Sequence, residues 1–219
     1  MSCSWRYERQ ARRAGYQRIA GVDEVGRGSL IGPVVAAAVI LDPDRPVRGL
    51  QDSKTLSPAR RAELAAQIRE RAVAWAVAQV DAARIDAWNI HRASCQAMRE
   101  AVLRLAPPAD FLLTDAFAVD LPLPQRNLIR GDARCASIAA ASILAKEARD
   151  RLMDELAEQY PHYGLQRNRG YATAEHLEAL RRHGPSPLHR FSFAPVRAAA
   201  SWSSRASQQL LPLQEQSES

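Results

Sequence analysis

The stretch RIAGVDEVGRGSLIGPVVAAAVIL, residues 18–41, contains two apolar runs separated by a glycine-rich turn. The first run ends in Asp23 and Glu24, and the second, residues 33–41, is a continuous series of small and branched side chains. Continuous apolar runs of this length, bounded by glycine and proline, are typical of buried strands. The stretch therefore predicts two core strands joined by a turn.

Helix and strand patterns alternate along most of the remaining chain. Apolar spacing, caps and prolines predict helices over residues 59–71, 84–105, 136–159 and 173–182. Short apolar or alternating runs predict further strands over residues 73–80, 110–114 and 127–130. This alternation favours the α/β class. We expect a basic leader (residues 1–16), one domain (17–197) and a disordered tail rich in Ser and Gln (198–219).

Composition narrows the functional class. No stretch of eighteen apolar residues occurs, and no hydrophobic segment follows the basic N-terminus, so we expect a cytoplasmic protein. The three cysteines lie far apart, which favours reduced thiols over disulfides or a zinc site. The formal net charge of +6 suits a polyanionic partner. Lys54 and Lys146 are the only lysines among thirty basic residues, either by chance or because a compact ammonium is needed there.

Acidic residues stand where the apolar strands end: Asp23 and Glu24, Asp115, and Asp132. Ligand sites of open α/β sheets gather at strand ends, so these acids could converge. Clustered carboxylates repel one another unless a cation neutralises them, and oxygen-only clusters favour Mg²⁺ or Mn²⁺. For any single acid, a solvated turn residue is the alternative. Neighbouring side chains on a straight strand also point to opposite faces, so Asp23 and Glu24 could not both face one ion from such a strand.

The turn Gly26-Arg27-Gly28 follows the first acids directly. Glycines let a backbone approach a ligand closely, and the arginine between them can reach a phosphate. A plain tight turn is the alternative interpretation.

Seven blocks in this order resemble bacterial ribonuclease HII, over about residues 17–197. They are GVDEVGRG (21–28), GPVV (32–35), DSK (52–54), TD (114–115), GD (131–132), SIAAASILAK with RD (137–146 and 149–150), and GYATAEH (170–176). The resemblance implies a ribonuclease H-like mixed sheet flanked by helices, followed by a helical C-terminal region. The chain departs from the family at Ala116, where glycine is commoner.

The resemblance also implies roles for individual residues. The catalytic and metal-binding acids are Asp23, Glu24, Asp115 and Asp132. The substrate-binding residues are Gly26, Arg27 and Gly28 at the ribose 2′-OH, Lys54 at a phosphate, and Tyr171 on the sugar at the RNA–DNA junction.

The implied activity is two-metal-ion hydrolysis, with Mn²⁺ or Mg²⁺, of RNA in RNA/DNA hybrids and on the 5′ side of ribonucleotides in duplex DNA, leaving 3′-OH and 5′-phosphate ends. A DNA nuclease or resolvase of the same fold and a non-catalytic hybrid-binding protein are alternatives. A metal-free histidine-pair ribonuclease is disfavoured because nothing pairs its five histidines. We expect a monomer. Residues 208–213 (QQLLPL) are faintly similar to sliding-clamp peptides, although low-complexity drift explains them better.

Overall fold

The computed structural model describes the backbone of residues 3–209 and the side chains of residues 3–201. Its five strands are β1 (Ile19–Val25), β2 (Val34–Ile40), β3 (Ala74–Val80), β4 (Phe111–Asp115) and β5 (Gln125–Leu128). They form one sheet in the order β3-β2-β1-β4-β5. β2 pairs antiparallel with β1 and β3, whereas β4 pairs parallel with β1 and β5. The parallel strands therefore end at the same edge of the sheet.

Eight α-helices lie within the described residues. They are α1 (Arg6–Arg13), α2 (Pro58–Arg71), α3 (Ala82–Trp88), α4 (Ile90–Leu103), α5 (Ala136–Gln159), α6 (Leu165–Asn168), α7 (Ala174–His183) and α8 (Ala194–Gln209). None of the helices in this part of the chain is long and apolar enough to cross a membrane.

The sheet is covered by helices on both faces, which explains the continuous apolar run of β2. Successive side chains of a strand point to opposite faces. Ala36 and Ala38 therefore pack in the core formed with α4, whereas Ala37 packs in the core formed with α2 and α5. Because every residue of β2 is buried, alternation with polar residues is absent. The predicted mixed sheet with flanking helices is confirmed.

The helix predicted over residues 84–105 is two helices, α3 and α4. Asn89 separates them with a positive φ of 78°, and its side-chain oxygen accepts a hydrogen bond from the backbone N–H of Arg92. An asparagine tolerates this left-handed region and caps the new helix at the same time. The apolar spacing continues across the break, so spacing alone predicted one helix.

The last strand lies two residues earlier than the predicted range of 127–130. Gln125 to Leu128 pair with β4, and the side chain of Gln125 exchanges two hydrogen bonds with the backbone of Val119. Asp132 consequently lies in a 3-10 turn, Gly131–Ala133, instead of directly at a strand end.

Both ends of the chain contain helix. α1 forms within the predicted leader, and its Tyr7 and Ala11 are buried beside Ile19 and Leu113 of the sheet. α8 continues to Gln209, so residues 198–209 are helical where we predicted disorder; the alanines at 198–200 extend the helix, and Ala199 packs on the C-terminal core. Residues 210–219, including most of the clamp-like peptide, lie outside the described residues.

A buried histidine pair holds together the C-terminal helical region. The Nε2 atoms of His176 and His189 are 3.1 Å apart. Ser186 donates its backbone N–H to His189 Nδ1, so His189 carries its proton on Nε2 and donates to His176. The proton of His176 is then on Nδ1 and is donated to the carbonyl of Tyr171. Burial lowers the pKa of both histidines; for His189, burial and the neighbouring His176 lower it to about 3.

We predict that this pair makes the protein less stable as the pH falls. The folded state disfavours protonation of both imidazoles, whereas the unfolded chain takes up protons below a pKa of about 6.5. Each histidine then lowers the free energy of unfolding by up to about 1.4 kcal/mol per pH unit between about pH 6.5 and its folded-state pKa. Urea unfolding at pH 7.0, 6.0 and 5.0 should give a steeper loss for the wild type than for His189→Gln. Parallel curves would contradict the prediction.

Candidate active site

Three of the four predicted acids converge at one edge of the sheet. Asp23 is in β1, Asp115 is the last residue of the neighbouring parallel strand β4, and Asp132 lies in the turn after β5. One carboxylate oxygen from each lies within 4.8 Å of the other two. The parallel pairing of β1, β4 and β5 explains this convergence, because it brings three chain segments out of the sheet side by side.

Backbone N–H groups hold the carboxylates of Asp115 and Asp23, and Cys3 contacts the backbone of Asp132. The Oδ1 atom of Asp115 accepts a hydrogen bond of 2.8 Å from the N–H of Gly131, which ties β4 to the turn that carries Asp132. The Oδ1 atom of Asp23 accepts one of 2.9 Å from the N–H of Glu24. The backbone carbonyl of Asp132 accepts a hydrogen bond from the thiol of Cys3.

Burial and like charge both oppose ionisation in the acid cluster. Burial, and then the charges of Glu24, Asp115 and Asp132, raise the pKa of Asp23 well above its usual value, although a hydrogen bond from Ser142 opposes the rise. Burial also raises the pKa of Asp115, against the hydrogen bond from Gly131. Desolvation and like charge both disfavour the ionised form. A bound cation would remove both penalties.

Glu24 lies beside the three-acid group and is not part of it. Its Oε1 atom is 3.6 Å from Nη1 of Arg27, and its Oε2 atom is buried without a hydrogen-bond partner. Burial raises the pKa of Glu24 to about 7, with Arg27 lowering it and Asp115 raising it. Glu24 nevertheless lines the same cavity as Asp23.

Both lysines of the chain line one cavity of about 470 Å³, together with Asp23, Glu24 and Tyr171. The Nζ atom of Lys54 is 3.3 Å from Oδ2 of Asp132. Lys146 is 2.5 Å from Oδ1 of Asp150 on the same helix. The scarcity of lysine elsewhere in the sequence was therefore an indication that these two lysines belong to a functional cavity.

A hydrogen-bonded network that lines this cavity was not predicted from the sequence. Ser142 hydrogen-bonds to Asp23 and shares a 2.9 Å hydrogen bond with Ser53. Arg61 donates to the Ser53 carbonyl and lies 2.8 Å from Asp150. The spacing of Ser142, Lys146 and Asp150 by four residues placed them on one face of α5 and could have indicated the network.

The Gly-Arg-Gly turn packs against buried Arg149. Gly26 has a φ of +88°, and a Cβ atom there would lie 2.2 Å from Nε of Arg149. Any side chain at this position would therefore displace Arg149 or the turn. A Cβ on Gly28 would be 3.9 Å from the ring of Tyr171, and the guanidinium of Arg149 lies 5.6 Å from the centre of that ring. The predicted substrate-binding turn and tyrosine are therefore neighbours.

A second buried arginine holds the other side of the turn. Arg190 donates 2.9 Å hydrogen bonds to the carbonyls of Arg27 and Gly32. Neither Arg149 nor Arg190 forms an ion pair with a carboxylate among the described residues, so both leave positive charge behind the turn.

The third acid is followed by a strained residue. Ala116 has a φ of +60°, in the left-handed region that favours glycine. Alanine at position 116, where glycine is commoner in the family, therefore imposes a backbone strain that glycine would not.

Glu8, from α1, caps the helix that follows Asp132. Its Oε1 atom accepts hydrogen bonds from the backbone N–H and the hydroxyl of Ser137, each 2.8 Å, and from the thiol of Cys135. Cys135, at the N-cap position of α5, makes no side-chain cap of its own. A carboxylate at a helix N-terminus satisfies free N–H groups and interacts favourably with the helix dipole. The N-terminal segment is thereby joined to the active-site edge.

We predict that Glu8→Ala destabilises the protein by about 1–3 kcal/mol, because buried donors lose their acceptor. Glu8→Gln keeps one acceptor oxygen and should lose clearly less. Urea unfolding of both variants checks the difference, and the Mn²⁺ concentration for half-maximal activity should rise with the alanine variant, since the turn of Asp132 precedes α5. Equal stability of the two variants would refute the capping role.

A family model, that of ribonuclease HII, matches residues 20–196 of this chain. A ribonuclease HII from Solibacter usitatus is 57% identical over 196 residues, which cover 90% of this chain and 86% of that protein.

Solved structures share the fold. The ribonuclease H2 of Pyrococcus horikoshii has a TM-score of 0.73 at 24% identity, over 84% of this chain and 98% of that one. Bst-RNase HIII, solved in complex with Mn²⁺, has a TM-score of 0.71 at 22% identity, over 89% and 73%. The RNase HII of Archaeoglobus fulgidus, solved in complex with PCNA, has a TM-score of 0.66 at 29% identity, over 89% and 98%.

The family model spans most of the chain, and the bacterial relative is more than half identical to it. The chain belongs to the ribonuclease HII family and is a ribonuclease H, an endonuclease that hydrolyses phosphodiester bonds.

Proposed function

We propose that this chain hydrolyses the RNA strand of RNA/DNA hybrids and cuts on the 5′ side of ribonucleotides embedded in duplex DNA, leaving 3′-OH and 5′-phosphate ends. One observation carries the proposal: the buried acid cluster lies beside both the Gly-Arg-Gly turn and Tyr171. The acids supply hydrolytic chemistry, and the turn with the tyrosine supplies a means of recognising a ribose.

Asp23, Asp115 and Asp132 would hold the divalent cation, and Glu24 would complete the set from its adjacent position. The donors fit such an ion, because they are all carboxylates, lie within 4.8 Å in the three-acid group, and include an Oε2 of Glu24 that is buried without a partner. Oxygen donors favour Mg²⁺ or Mn²⁺. When bound, such ions activate a water and stabilise the leaving oxygen of a phosphodiester.

Ribose recognition falls to the turn and the tyrosine. The 2′-OH is the group that distinguishes a ribonucleotide from its deoxy neighbour. Gly26 and Gly28 bring the backbone close enough to contact that hydroxyl, with Arg27 beside it. Tyr171, 37% exposed at the cavity wall, offers a ring face to the sugar. Arg149 and Arg190 keep the turn in place.

Lys54 binds a substrate phosphate. Its side chain is 74% exposed and reaches the edge of the acid cluster, so it can turn from Asp132 to a phosphate oxygen. A compact ammonium on a flexible stem suits this exchange of partners.

The experiment is a cleavage assay on duplexes that contain one, four or no ribonucleotides, in Mg²⁺, Mn²⁺ or chelator. We expect cleavage of the first two duplexes, with metal only. Equal cleavage of the all-DNA duplex would favour a DNA nuclease or resolvase and reject the proposal. Cleavage in chelator would reject the metal.

Asp23→Asn should lower kcat by at least about a thousandfold, as is usual for central catalytic groups. Duplex affinity should remain within a few-fold, because the substrate-binding residues are unchanged. The variant should melt no lower than the wild type without metal, since it removes a buried charge from a repulsive cluster. Asp44→Asn, at an exposed loop acid, is the matched control and should retain full activity.

A clamp contact through residues 208–213 and a monomeric state stay predictions from the sequence. The complex of the Archaeoglobus fulgidus relative with PCNA agrees with a clamp partner for this chain. Deleting residues 210–219 and measuring clamp binding would test it.

A further inference from the structure

Six exposed arginines lie on α1, on β5 and around the turn that carries Asp132, and we call this set the arginine face. They are Arg6, Arg9 and Arg13 of α1, Arg126 of β5, and Arg130 and Arg134 on either side of the turn that carries Asp132. All six are exposed.

The three arginines of α1 are held in an electrostatically unfavourable arrangement. Arg6, Arg9 and Arg13 are spaced by three and four residues, so they project from one side of α1 and repel one another. Arg6 also lies in the first turn, where the helix dipole disfavours positive charge. With Gln10, the three arginines line a groove of about 380 Å³. A polyanion in this groove would remove the repulsion.

The second half of the face is fixed to the first through Tyr7. The guanidinium groups of Arg126 and Arg134 lie 5.2 and 5.6 Å from the centre of its ring. Arg134 also donates to the hydroxyl of Tyr7, and Arg126 donates to the side chain of Gln10. The arginines of β5 and the turn are thereby held beside those of α1.

None of the six pairs with a carboxylate within the described part of the chain. Other exposed arginines do: Arg104 pairs with Glu100, and Arg182 with Glu178. The one acid of α1, Glu8, is buried and bonds to Ser137. The positive charge of the arginine face is therefore left for an external partner.

We propose that the arginine face binds the sugar–phosphate backbone of the duplex outside the cleavage site. The proposal rests on the proposed function, since it places the bound duplex across Asp132. Arg130 and Arg134 flank that residue, so the face starts at the acid cluster and extends away from it along α1. Planar guanidinium groups bind phosphates with two hydrogen bonds each and need no particular base.

The test is a triple variant, Arg6→Gln/Arg9→Gln/Arg13→Gln, compared with the control triple Arg45→Gln/Arg84→Gln/Arg104→Gln. Both lose three charges, but each control arginine is ion-paired with a neighbouring carboxylate. Fluorescence anisotropy in chelator would give Kd for labelled duplexes of about 10 and about 30 base pairs, with and without one central ribonucleotide, at several salt concentrations.

We expect the α1 triple to raise Kd for the long duplexes about tenfold, with or without the ribonucleotide, and to leave the short ones within about twofold. The slope of log Kd against log salt should fall by about 0.9 for each phosphate that the variant no longer neutralises. The control triple should change Kd by the same small factor at both lengths. An α1 triple that matches the control, or that weakens both lengths equally, would overturn the proposal.

The result of this binding test does not depend on the result of the cleavage assay, because binding in chelator needs no cleavage. A wild type that cuts no ribonucleotide but still shows the length-dependent loss would reject the activity and retain the arginine face. Melting temperatures of both triples exclude misfolding as the cause of any loss.

Discussion

The active site depends on carboxylates that the fold holds together at one sheet edge, although burial and like charge both oppose their ionisation. Asp23, Asp115 and Asp132 are held within 4.8 Å by strand pairing and backbone hydrogen bonds, not by attraction to one another. Their environment raises the pKa of Asp23 and Asp115. Because desolvation penalises every uncompensated charge, a bound cation would stabilise these carboxylates far more than solvent does.

Distant parts of the chain maintain that edge. Glu8, from the N-terminal helix, caps α5, and Arg190, from the C-terminal region, supports the Gly-Arg-Gly turn. Arg149 of α5 lies beneath both Gly26 and Tyr171. The cluster and the ribose-binding turn are thus joined by long-range contacts, and the N-terminal segment belongs to the active-site architecture.

Local patterns predicted much of this structure. β1 and β2 were predictable because strands buried on both faces give continuous apolar runs, and α5 matches its predicted range of 136–159. The acids were identified because they stand at or near the ends of such runs. The break at Asn89 and the position of β5 were not predicted, because a positive φ and a strand register depend on contacts distant in sequence. The cap by Glu8 joins residues 129 positions apart, and no local spacing indicates it.

Calorimetric titration of Mn²⁺ into the protein, in two buffers with different ionisation enthalpies, tests the central claim most directly. Because Asp23 has a raised pKa and Glu24 one of about 7, binding at pH 7 should release protons and should strengthen with increasing pH. Asp132→Asn should weaken it markedly. Mn²⁺ binding without proton release, and with the same affinity in Asp132→Asn, would show that these carboxylates do not share the ion.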